Sequence, residues 1–208
     1  MNGITEANAF LNWRMNKSDR ANNYGSMAEG YHLAAIRLLD LLVRDNGGHD
    51  ADVVIYPVLF SGHQCVELYL KAIAILSCEA NGNNPWMIEI KQVHNLDRLL
   101  NSVNSKLPDG EKIVKGKETQ ALFDFIDMCK QVGDDSQGEY FVDFARYPEN
   151  LPKVGSIPTT YPFVVKNDEF IFNLKELKEL ISETCNLLSG IYAQWFDRAD
   201  FVRNNALE

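Results

Sequence analysis

The stretch that decides the fold is YPVLFSGHQCVELYLKAIAIL, residues 56–76. Its apolar side chains recur at spacings of three and four, which is the period of a helix; they are Val58, Leu59, Val66, Tyr69, Leu70, Ile73 and Leu76. They surround so much of the helix that it is predicted to be covered by other helices, and its charged residues argue against a membrane span. The stretch is therefore predicted to be the central helix of a bundle.

A polar face interrupts this apolar helix. His63, Glu67 and Lys71 follow one another at intervals of four, so they lie on one side of the helix, and Glu67 can pair with Lys71. Such a face could line a cleft that binds a ligand. The sequence favours the other interpretation, an ordinary ion pair beside a hydrogen-bonded packing histidine, and leaves both open.

The composition is that of an ordinary globular domain. The 208 residues are 46% hydrophobic and 24% charged, and a net charge of −9 argues against a broad basic surface for nucleic acid or anionic lipid. No CxxC pair, phosphate-binding loop or metal-ligand spacing is present, so neither a metal nor a cofactor is predicted. Scattered cysteines without a signal peptide or membrane segment lead us to expect reduced core thiols and a cytoplasmic protein; the cysteines are Cys65, Cys78, Cys129 and Cys185.

The helical period recurs along most of the chain. Further helices are predicted at about 19–45, 94–106 and 117–132, with a last one of roughly 20 residues capped by Asn173. Alternating apolar residues at 163–172 predict a small β-hairpin. We expect an all-α, antiparallel up-and-down helix bundle with this hairpin inserted before the last helix. Residues 1–206 form a single domain in this prediction, with an extension at 1–18, an insertion at 139–173 and vector-derived residues at 207–208.

Three segments, in this order, resemble the HEPN-domain family (higher eukaryotes and prokaryotes nucleotide-binding). They are the central helix with its Glu67-x-x-x-Lys71-Ala72 element, HNLDRLL at 94–100, and FARYPEN at 144–150. The last is similar, with one residue inserted, to the Phe-Arg-Tyr-Pro segment of an uncharacterised bacterial subset. The resemblance covers about residues 20–200. It implies an all-α up-and-down bundle that often forms a homodimer, in a family that includes metal-independent ribonucleases, RNA-binding proteins and non-catalytic interaction modules.

The ribonucleases of that family carry an arginine, a polar residue, three variable residues and a histidine. Arg44-Asp45-Asn46-Gly47-Gly48-His49 matches this motif. A histidine can take the proton of a 2′-hydroxyl while an arginine holds the phosphate. The two glycines, however, place the motif in a loop after a helix, where Arg44 would favour the helix C-terminus and His49 would be solvated.

Two further positions are candidates for ligand contacts. Arg146 beside Tyr147 could bind a phosphate or stack on a base, or could tie a long loop to helix carboxylates. His94 is expected to help start a helix through a local hydrogen bond, with catalysis as the alternative.

The leading prediction is a HEPN-like module that binds RNA or a nucleotide, or another protein, without robust catalysis. Arg146, Tyr147, His63, Glu67, Lys71 and His94 are its candidate binding residues. One alternative is a metal-independent endoribonuclease of the toxin or anti-phage type that uses Arg44 and His49, and another is a protein-interaction scaffold. We also expect a homodimer, a possible antitoxin-like protein partner, and no association with a membrane.

Overall fold

The structure is a computed structural model that describes residues 19–83, 93–132 and 170–205, together with Ala9, Met15 and Ile90. These residues form helices and no β-strand, which confirms the predicted all-α class. The helices are α1 (Arg20–Arg44), α2 (Ala51–Ala80), α3 (Leu96–Asn104), α4 (Gln120–Val132) and α5 (Leu174–Asn205), with short 3-10 turns at Asp109–Glu111 and Lys117–Thr119. Most of the predicted 1–18 extension and of the 139–173 insertion lies outside the described residues, as does the predicted hairpin except for residues 170–172.

The central helix α2 is almost wholly buried. Its side chains from Val58 to Cys78 face α1, α3 and α5, and all of them except Phe60 and Gln64 are buried. Fully burying a Leu or Ile side chain stabilises a fold by about 1.5–3 kcal/mol, so α2 is the main hydrophobic element of the bundle. By length and composition alone this helix could cross a membrane, and 61% of its most apolar window is buried inside the protein.

Small residues let α1 approach its neighbours closely. Asp19 caps the helix by accepting a hydrogen bond from the Asn22 backbone at 2.9 Å. Alanines without exposed surface form much of the inward face, and a Cβ atom placed on Gly25 would lie only 2.6 Å from the Tyr192 ring of α5. The contact between α1 and α5 therefore requires a residue without a side chain at this position.

Ion pairs at the two ends of the bundle define the helix directions. Arg203 at the end of α5 bonds Glu79 at the end of α2 and lies 3.8 Å from Asp19 at the start of α1. At the opposite end, Lys178 of α5 lies 2.6 Å from Asp40 of α1. Helices α2 and α5 therefore run parallel to each other, and α1 runs antiparallel to both.

Candidate functional site

The predicted polar face of α2 lies inside the bundle. Glu67 and Lys71 are each only 2% exposed, and the Lys71 Nζ donates a hydrogen bond to Glu67 Oε1 at 2.6 Å. The predicted pairing of these residues is confirmed. Glu67 and Lys71 lie on the side of α2 that faces the segment before α3. The residues of this segment therefore determine whether solvent can reach the pair.

His94 from that segment contacts the pair. Its Nδ1–H donates to Glu67 Oε1 at 3.0 Å, and about half of the imidazole side chain, 51%, is exposed. The expectation that His94 starts α3 by a local hydrogen bond was wrong, because the cap is the neighbouring Asn95, whose Oδ1 accepts from the Arg98 backbone at 3.0 Å. Because Asn95 fixes the start of α3, His94 directly before it is held against α2.

His63 completes the cluster one turn before Glu67. Complete burial lowers the pKa of His63 to about 4, so the imidazole is neutral at physiological pH. The distance from its Nδ1 to Glu67 Oε2 is 3.8 Å, which is too long for a hydrogen bond. Because the imidazole is neutral, the two side chains do not form an ion pair either. His63 is packed inside the bundle, as the packing interpretation predicted, but its Nε2 has no hydrogen-bond partner among the described residues.

Two buried polar atoms of this cluster have no hydrogen-bond partner among the described residues. They are Glu67 Oε2 and His63 Nε2. Leaving a buried polar group unsatisfied costs about 1–3 kcal/mol, and a buried ion pair often stabilises a protein no more than apolar residues of similar size. The cluster therefore contributes little to the stability of the fold, and this makes it the leading candidate for a functional site.

The Arg44–His49 motif lies elsewhere. Arg44 is in the last turn of α1, where its Nε donates to the Asp40 carbonyl oxygen at 2.9 Å, and His49 is exposed in the following loop with a φ of 59°. The local interpretation of both residues is thus confirmed. Because α2 rises 1.5 Å per residue, its start beside His49 lies about 24 Å from Glu67, and the two candidate sites do not share a cleft within one chain.

The remaining predicted ligand residues have no described placement. Arg146 and Tyr147 fall in the 133–169 range, outside the described residues. Within the part of the chain that is described, no group of three His, Cys, Asp or Glu side chains is arranged to hold a metal ion.

Comparisons with protein families, curated proteins and solved structures found no match. All four members of the cluster are candidate residues in the sequence, but no sequence pattern joins His94 to Glu67, and Asn95, which positions His94, was not among the predicted residues. The signal for Asn95 was present, because asparagine is a preferred cap and Asp97 follows in the first turn.

A surface groove forms a second candidate site near the ends of α2 and α5. It has a volume of about 480 Å³ and is lined by apolar side chains that include Trp195 and Phe201, the latter 70% exposed. The Arg198 guanidinium lies 4.8 Å from the centre of the Trp195 ring and also bonds Glu111 across the groove. The exposed Phe201 and the Arg198 guanidinium thus line the same groove, and aromatic and arginine side chains are enriched where proteins contact one another.

Proposed function

We propose that the chain is a helical RNA- or nucleotide-binding module whose ligand surface includes the solvent-facing edge of His94. The observation that carries this proposal is the cluster of His63, Glu67, Lys71 and His94, of which only His94 is exposed. The resemblance to HEPN-domain proteins suggests the ligand class, and the half-exposed His94 supports this region as the proposed contact.

The chemistry of His94 suits such a ligand. With Nδ1 engaged by Glu67, the neutral ring has an acceptor at Nε2 for a base amino group or a ribose hydroxyl. The protonated ring donates at both nitrogens and can bind a phosphate oxygen. A net charge of −9 disfavours binding over a broad surface, which is consistent with one local contact region.

The test is fluorescence anisotropy with a labelled oligonucleotide that lacks 2′-hydroxyl groups and therefore stays intact. A hydrogen bond to a charged ligand contributes about 1.5–3 kcal/mol, so His94→Gln is expected to weaken binding roughly 10-fold to 100-fold. His32→Gln on α1 is the matched control and should bind as the wild type does. Absence of saturable binding at low salt, or an equal loss in both variants, would refute the proposal.

A protein-interaction scaffold is the second candidate function, and the groove beside Trp195 favours it. Phe201→Glu would place a charge at the most exposed aromatic of that groove without touching the His94 cluster. If this variant loses a partner that the wild type retains in solution, and His94→Gln keeps it, the scaffold role is supported instead.

A further inference from the structure

The contact between Glu67 and His94 has a chemical consequence beyond binding. One oxygen of a nearly inaccessible carboxylate, on a side chain 3% exposed, holds one nitrogen of an imidazole that is half exposed. A carboxylate can only accept at this contact, so His94 Nδ1 carries the proton and Nε2 of the neutral ring is left with its lone pair. This is the tautomer that a histidine needs in order to act as a general base.

The surroundings of the pair fit proton transfer better than they fit a structural connection. The Lys71 ammonium lies 2.6 Å from the same Glu67 oxygen that His94 contacts, so the carboxylate is held in place from two sides. Its other oxygen has no partner among the described residues, and neither has the buried Nε2 of His63. Outside the cluster, His32 Nε2 and Thr184 Oγ1 are also buried without a partner among the described residues, so it is the contact of Glu67 with the half-exposed His94 that points to proton transfer.

We infer that Glu67 and His94 form a general-base pair that removes a proton from a hydroxyl nucleophile. His94 is the catalytic residue, and Glu67 is a positioning residue that fixes the tautomer and stabilises the imidazolium. In the step, Nε2 takes the hydroxyl proton, the oxygen forms a bond to the electrophilic atom of the substrate, and the bond to the leaving group breaks. The imidazolium then releases its proton to solvent, and the leaving group is protonated by water.

The hydroxyl has two sources, water and a ribose 2′-hydroxyl. Water is tested with ethyl dichloroacetate, an activated ester whose C–O bond to ethoxide breaks after attack on the acyl carbon. Ethoxide is a poor leaving group, so an imidazole acts on this ester as a base for water and not as the nucleophile. The ribose hydroxyl is tested with a DNA oligonucleotide that contains a single ribonucleotide, and this arm rests on the proposed function. There the 2′-oxygen attacks the adjacent phosphorus, the P–O5′ bond breaks, and a 2′,3′-cyclic phosphate and a 5′-hydroxyl result.

Variants of single residues show whether His94, and not another side chain, accelerates the reaction. His94→Gln should lower the rate above background at least tenfold in the productive arm, and His32→Gln should leave it unchanged. The four cysteines are buried and so are not expected to contribute to ester cleavage. Glu67→Gln should lower kcat and leave KM unchanged, because an amide does not stabilise the imidazolium that forms during the step. If that variant does not fold, Glu67→Gln combined with Lys71→Met replaces it.

Each remaining outcome counts against the inference. A wild type without activity in either arm overturns it, as does activity that His94→Gln retains. Loss of activity in His49→Gln with full activity in His94→Gln would assign the chemistry to the Arg44–His49 motif instead. Binding of the uncleavable oligonucleotide without any activity would leave the proposed function standing and refute the general-base role alone.

Discussion

The buried pair of Glu67 and Lys71 allows a sharp test of whether this cluster exists for stability. Both side chains are nearly inaccessible and their charged atoms are 2.6 Å apart. Replacing Lys71 by Met leaves the Glu67 carboxylate without its buried cation, and breaking such a pair costs about 3–5 kcal/mol. Replacing both residues, Glu67→Leu with Lys71→Met, removes both charges and is expected to be neutral or stabilising by about 1–4 kcal/mol.

Equilibrium unfolding in urea, with the thermal midpoint as a second readout, measures both variants. One kcal/mol shifts the midpoint of a domain of this size by roughly 2–4 °C, so Lys71→Met should lower it by about 10 °C. The matched control is Lys178→Met, because Lys178 makes a contact of equal length, 2.6 Å, with Asp40 at the surface. That change should cost less than about 1 kcal/mol.

A loss of stability in Lys71→Met that is no larger than the loss in Lys178→Met would refute this expectation. A double variant that is less stable than both of its single variants would refute it as well. If instead the double variant is as stable as the wild type and no longer binds the oligonucleotide, the pair is retained for the ligand and not for the fold.

Three further changes test the packing, the titration and the backbone described above. Gly25→Ala should lower the midpoint of thermal unfolding, because its Cβ would overlap the Tyr192 ring, whereas Gly30→Ala in the same helix meets nothing within 4 Å and should stabilise by about 1 kcal/mol. Between pH 6.5 and about 4, His63 binds a proton in the unfolded chain but not in the folded one. The free energy of unfolding, measured in urea, should therefore fall by up to about 3 kcal/mol as the pH is lowered through this range. His63→Gln should reduce this loss. His49→Gly should raise stability by about 1 kcal/mol, because a φ of 59° suits glycine, and an unchanged or lower unfolding midpoint would contradict this.

The fold was predictable wherever a helix has one clear inward face and a clear end. Asp19 and the glycines after Arg44 predicted both ends of α1 within about a residue, and Asn173 predicted the start of α5. The end of α5 was wrong, because this helix has 32 residues and the prediction gave it roughly 20. The polar spacing along α2 likewise predicted the Glu67–Lys71 pair. These features are local, because caps and helical periods depend on residues within a few positions of each other.

The site was less predictable because its decisive contact joins residues 27 positions apart. No period or motif relates Glu67 to His94, and the contact exists only because α3 packs on α2 with Asn95 as its cap. The burial of Glu67 and Lys71 was not predicted for a similar reason. A run of polar residues indicates a face, but whether that face meets solvent depends on what the rest of the chain places over it.

The ion pairs of Arg203 also determine how the domain would respond to mechanical load. Because α5 ends beside the start of α1, a force applied between residues 19 and 203 pulls two antiparallel helices apart from one end. The contacts would then break one after another, beginning at Arg203 and moving toward Lys178 and Asp40. Such a bundle unzips, and in single-molecule stretching it should yield at a lower force than the same bundle pulled between residues 19 and 174, where the whole α1–α5 contact is sheared at once.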